Sequence, residues 1–203
     1  MRLCDLTGNS DLYIRRLKSL YEEMSGKYNQ IVQQYGLDCT NCPDNCCQTR
    51  FHNHTYIEYF YLLEGLATHS ENRREEFLNQ SIKVCKQITE CEASGETPRV
   101  MCPLNENSRC VLYEFRPMIC RLHGIPYDLT IPGREPFRGD GCTVFQDHFS
   151  NKPYCAFNRT ALYQSLSRLE GELRSEIGRF DRIKMTVAEM ISYDPVRTKE
   201  IGR

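Results

Sequence analysis

The chain has 203 residues, 26% of them charged, with 26 Lys and Arg against 27 Asp and Glu for a net charge of −1. That length suits one domain, and near-neutral charge with dispersed Lys and Arg excludes a general attraction to nucleic acid. No apolar run approaches the roughly 18 residues that a membrane span needs, and residues 1–10 lack the apolar core of a secretory signal. These features predict a cytoplasmic protein with no membrane or nucleic-acid partner, leaving a protein partner open.

In chain order, Tyr13, Leu17, Leu20, Met24, Tyr28, Ile31 and Tyr35 recur every three or four residues, one face of an amphipathic helix over 10–36. Ser10 or Asp11 is placed to cap its start, and Gly36 sits where a left-handed residue ends a helix. Cysteines follow at once, so they lie in a loop leaving that helix. Thr55-x-x-Glu58 is a capping-box pattern opening a helix through Ile57, Tyr61, Leu62 and Leu66. A further helix is expected from about Glu71 to Ala93, with Phe77, Leu78, Ile82, Cys85 and Ile88 inward and Gly95 and Pro98 ending it. Between Arg99 and Pro153, Pro, Gly and scattered Cys replace periodicity, with room for short strands. Leu162, Leu166, Leu169, Leu173, Ile177 and Phe180 then mark another helix, and Thr186-x-x-Glu189 caps a last short one before a basic tail over 194–203. The expectation is a single, mainly α domain. Helices at 10–36 and 156–193 bracket an irregular, metal-organised Cys-rich centre over 37–155 that contains a helical hairpin.

Twelve cysteines require an explanation. Six disulfides in an exported scaffold would be one, but a reducing cytosol disfavours them. Local clustering favours metal. Cys39, Cys42, Cys46 and Cys47 stand at C-x2-C-x3-C-C spacing, dense enough to converge on one ion or cluster. Because neighbouring side chains diverge, Cys46 and Cys47 are expected to serve different sites. Cys102, Cys110, Cys120 and Cys142 bring the supply to eight thiols, enough for two four-thiolate sites or one larger cluster. The polar loop between Cys102 and Cys110 suits a turn that folds the two together, and Pro117 is placed to open a short helix carrying Cys120.

Together, Cys39-x2-Cys42-x3-Cys46-Cys47, Thr55-x-x-Glu58 and Cys102-Pro-Leu…Cys110-x2-Tyr113-x2-Arg116-Pro117-x2-Cys120-Arg121 resemble the YkgJ-type cysteine-cluster family. The resemblance covers about residues 39–123, with x3 where x2 is commoner before the Cys pair. It implies a zinc- or iron-chelating domain, some members being iron–sulfur proteins, with Cys39, Cys42, Cys46, Cys47, Cys102, Cys110 and Cys120 as ligands. Cys142 is added by the count of eight and by its Gly-Asp-Gly-Cys turn. The cysteine cluster is distantly similar to that of flagellin lysine methylases.

Eight thiolates around two zinc ions would leave a charge of about −4, so cations and N–H donors are needed around them. Arg116 and Arg121 match the family pattern and are expected against the sulfurs, ahead of Arg50, Arg99 and Arg109. His52, His54 and His123 read first as ordinary surface or structural residues, and Cys85 and Cys91 as small apolar ones on a helix. Cys4 and Cys155 carry no motif, although Cys155 competes with Cys142 by proximity. No phosphate loop, nucleophile elbow or H-E-x-x-H helix is present. The expected function is therefore a metal-binding cysteine-cluster protein with thiolate-ligated iron–sulfur or zinc sites, in electron transfer or in redox or group-transfer chemistry. The alternative is a structural zinc module acting in protein–protein interaction without catalysis.

Overall fold

The computed structural model describes residues 2–39, 42 and 44–193. The basic tail over 194–203 lies outside them. The chain is mainly helical, and among the described residues no helix is long and apolar enough to cross a membrane.

Helix α1 (Ser10–Tyr35) ends at Gly36, whose φ of 67° is the left-handed conformation that only glycine adopts without strain. At its other end the cap position belongs to Asn9, with no side-chain cap bond, instead of to Ser10 or Asp11. Tyr13, Leu17, Leu20, Met24 and Tyr35 are buried as the periodicity requires, with Ile14 and Tyr21 widening the stripe. Helix α6 (Thr160–Ile177) lies against α1. Tyr13 donates to Glu176 Oε2 at 2.7 Å while Arg16 pairs with Glu172, so the two helices run antiparallel. Phe180 does not extend the α6 stripe. Gly178, at φ 65°, has already ended the helix, and the Phe180 ring is 73% exposed.

Helix α2 (Tyr56–Ala67) packs on both α1 and α6, and it is buried over the whole run from Tyr56 to Leu62. Its start is not closed by a reciprocal capping box. The Thr55 hydroxyl donates to Glu58 Oε2 at 2.6 Å, and the exposed amides are met from elsewhere. Glu170 of α6 accepts from Tyr56 N at 2.9 Å and Ile57 N at 3.0 Å, placing a carboxylate at the positive end of the helix dipole. Arg174 Nε binds the same carboxylate at 2.7 Å.

Helix α3 (Glu71–Ala93) follows after residues 68–70, capped by the Ser70 hydroxyl. It packs chiefly against α7 (Val187–Ser192), whose Thr186–Glu189 capping box forms in full. The buried side of α3 is Phe77, Ser81 and Val84, not the expected Leu78 and Ile82, which are 38% and 52% exposed. Its partner is a six-residue helix, too short to cover a wide stripe, so only a narrow seam is buried.

The centre contains two small antiparallel hairpins: β1 (Asn105–Glu106) with β2 (Arg109–Cys110), and β3 (Tyr127–Leu129) with β4 (Phe137–Gly139). Two short helices complete it: α4 (Met118–Leu122) and α5 (Thr143–Phe149).

Candidate metal centre

The first cysteine segment leaves α1 through Gly36. Cys42 N closes a turn on Cys39 O at 3.3 Å, and Cys42 Sγ points to Asp44 O at 3.2 Å. Asn45 then caps a single 3₁₀ turn, accepting from Cys47 N at 3.0 Å. That turn sets the Cys46 and Cys47 thiols against each other, so the expected divergence of the adjacent pair is not seen.

Cys102 is tied to this segment by its backbone, its amide donating to Cys47 O at 2.9 Å. The Asn107-Ser108 loop takes positive φ at both residues, 50° and 64°, the tight hairpin geometry that pairs Asn105 with Cys110. This is the fold-back expected between Cys102 and Cys110. Pro117 starts α4, which carries the half-buried Cys120. The N-terminus of α4 is anchored by a buried carboxylate, Glu58 Oε1 accepting from Met118 N at 2.6 Å and from the Tyr21 hydroxyl at 2.9 Å.

Cys142 arrives from the far side. Its amide donates to Gly124 O at 3.1 Å, and its sulfur accepts from Phe145 N at 3.4 Å at the head of α5. A side chain at Gly141 would meet Gly124 O at 2.8 Å, so bare backbone is needed for this approach.

Four segments distant in sequence therefore bring eight thiols into one region. Their mutual electrostatics sort them. Cys47, Cys102, Cys110 and Cys120 act on one another, and Cys39 is acted on by Cys42 and Cys142. Cys46 stands between, exposed to Cys47, Cys120 and Cys39. Burial pushes the Cys102 thiol up to about 12 and raises Cys39, Cys110 and Cys120 as well. Cys47 moves the other way, because hydrogen bonds from Cys46 and Asn105 and the charge of Arg116 favour its thiolate. Asn105 Nδ2 is buried with no hydrogen-bond partner, and its side chain favours the Cys47 thiolate.

The donor chemistry is that of zinc or iron–sulfur ligation. Among the described residues, however, no three such side chains converge on one point as placed, so the thiols are gathered but not closed around an ion. The irregular centre is held here by hairpins, caps and backbone ties. All twelve cysteines are free thiols.

The expected arginines divide. Arg116 stacks its guanidinium 3.5 Å above the Tyr113 ring, and its charge reaches Cys47, Cys110 and Cys120. Arg121 donates to the Glu114 and Arg116 carbonyls and lies 4.0 Å over Tyr21, so its hydrogen bonds shape the turn before α4 while its charge still acts on Cys110. Arg99 pairs with Asp44 and Arg50 with Glu92. His54 Nδ1 meets the Ile183 carbonyl at 3.3 Å, and the His123 ring packs edge-on against Phe51. Cys85 faces the Ser192 hydroxyl, away from the group, and the Cys155 amide binds the Tyr35 hydroxyl.

Sequence reading missed the Glu58 anchor, the Asn105 donor and a buried arginine, Arg159. Nothing in the pattern Asn158-Arg159-Thr160 signals that this side chain is interior. Comparison with protein-family models, curated proteins and solved structures finds no match.

Proposed function

We propose that this chain is a metal-binding cysteine-cluster protein. Cys39, Cys42, Cys46 and Cys142 would supply one thiolate-ligated site, and Cys47, Cys102, Cys110 and Cys120 a neighbouring one. The observation that carries this reading is the backbone hydrogen bond from Cys102 to Cys47, which joins two cysteine segments far apart in the chain. Free thiols raised by burial and by one another are poorly placed as they stand, and a bound cation reverses that penalty. When bound, an iron–sulfur cluster supplies one-electron chemistry and zinc supplies structural cross-linking.

The chain's own residues do the rest. Glu58 and Pro117 orient Cys120, the Asn107-Ser108 turn places Cys110, and Gly141 lets Cys142 approach. Asn105 and Arg116 offset thiolate charge at Cys47. Electron transfer, or redox or group-transfer chemistry related to the distant flagellin lysine methylase likeness, is the function proposed for an iron–sulfur form.

A second reading, a structural zinc module in protein–protein interaction, is favoured by the desolvation that raises the half-buried Cys102 and Cys120 thiols. Closed, buried thiolate sites are usually structural. Anaerobic purification followed by zinc, iron and acid-labile sulfide analysis tests both. Iron with stoichiometric sulfide and a brown colour supports the first reading. Colourless protein with stoichiometric zinc supports the second, and a chain that neither carries nor takes up metal refutes both.

A further inference from the structure

Arg159 is 1% exposed, the largest of the fully buried side chains. A guanidinium stays charged in proteins, and burying one without an anion costs several kcal/mol. The groups facing it are not carboxylates. One terminal nitrogen donates to Leu122 O and, at 3.5 Å, to Ile125 O, and the rings of Tyr127 and Phe157 lie 3.7 and 5.1 Å from its centre. Its Nε has no partner. It also stands at the N-cap of the 18-residue helix α6, where the dipole disfavours a cation. Burial pushes its pKa below the ordinary arginine value, as expected of a desolvated cation.

Two features say what this cation is for. The first is the segment 122–125, two residues beyond Cys120, in which every carbonyl is engaged. Arg159 takes Leu122 O and Ile125 O, the Tyr28 hydroxyl takes His123 O at 2.6 Å, and the Cys142 amide takes Gly124 O at 3.1 Å. The second is Tyr28. Its hydroxyl feels the charge of Arg159 and of Cys39, Cys142 and Cys46, and it donates to the same segment at His123 O. The Arg159 backbone is itself fixed, its amide donating to Asp128 O at 2.9 Å.

We propose that Arg159 is a positioning residue of the thiolate centre. Its guanidinium pins the 122–125 segment, whose Gly124 carbonyl receives the Cys142 amide and whose first residue lies two beyond Cys120. This inference rests on the metal-binding reading above.

The test uses the full chain, reduced and stripped of metal, with Co²⁺ as the probe and its thiolate charge-transfer absorption as the readout. Thermal unfolding of each metal-free variant is measured alongside. Arg159→Met, which keeps length without charge, should weaken Co²⁺ binding by about tenfold or more. Arg159→Lys keeps the charge with fewer donors and should remain within about threefold of the parent. A purely structural role would lower the metal-free melting temperature of Arg159→Met and leave its Co²⁺ affinity unchanged, and that result overturns the proposal. So does an Arg159→Lys protein that folds but loses as much affinity as the methionine variant. If Arg159→Met does not fold, the lysine variant decides.

Hydrogen exchange on the unaltered chain needs no variant. Co²⁺ uptake should slow exchange at residues 122–125 and 157–160 as well as at the cysteines, and uptake without that protection overturns the proposal. An unaltered chain that takes up no Co²⁺ removes the metal reading and this inference together. Normal uptake with an unaffected Arg159→Met removes only the inference.

Discussion

Glu58 offers the sharpest test of how the helical frame holds the cysteine centre. It is 3% exposed, and its two oxygens have separate duties. Oε1 accepts from both Met118 N and the Tyr21 hydroxyl, and Oε2 accepts from the Thr55 hydroxyl. Glu58→Ala strands two interior donors at about 1–3 kcal/mol each, so a total loss of about 2–6 kcal/mol is expected. A domain of this kind has about 5–15 kcal/mol in all, so the variant should still fold in the cold. Glu58→Gln is the control. A carboxamide oxygen can occupy the Oε1 position, and its NH₂ can donate to the Thr55 hydroxyl. Only charge assistance is lost, for about 1 kcal/mol. Urea unfolding followed by circular dichroism measures both, since the chain has no tryptophan. Because Met118 opens the helix of Cys120, Glu58→Ala should also weaken metal uptake while Glu58→Gln should not. A Glu58→Ala loss below about 1 kcal/mol would show that the stranded donors find other acceptors, and the reasoning would fail.

Replacing Cys42 or Cys120 by Ser should lower metal content per chain, whereas Cys85→Ser, beside Ser192 on the α3–α7 seam, should retain it; elemental analysis decides, and unchanged metal in Cys42→Ser removes the first cysteine segment from the ligand set. Gly141→Ala forces a side chain onto Gly124 O at a φ of 85°, so it should destabilise the chain by about 1–3 kcal/mol and reduce metal uptake; parent-like melting and uptake would contradict the close approach. The Tyr56 hydroxyl bonded to Asp181 holds that carboxyl below its ordinary value. Its contribution to stability is therefore present above the ordinary carboxylate range and is lost as pH falls through the lowered value. Asp181→Asn should flatten the acid side of the melting-temperature profile, and an unchanged slope would count against the bond.

Local chemistry made several elements legible in the sequence. Gly36 ends α1 because only a residue without Cβ turns left-handed there at no cost, and Gly95 follows the end of α3 in the same conformation. Thr186 and Glu189 satisfy each other's amides three residues apart, and Pro117 starts the helix of Cys120. The supply of thiols was equally plain, as was the fold-back between Cys102 and Cys110. Failures came where a partner lay far along the chain. Thr55-x-x-Glu58 has the same pattern as the box at Thr186, yet Glu58 turns inward to Tyr21 and Met118 while Glu170 caps α2 from more than a hundred residues away. Leu78 and Ile82 have the periodicity of a buried face, but beside the short α7 only Phe77, Ser81 and Val84 of α3 are buried. The gathering of the thiols into one region, and the burial of Arg159, depend on backbone ties among distant segments. Spacing in sequence carries information over one or two helical turns. Which buried charge meets which stranded donor is decided only when the helices close on one another.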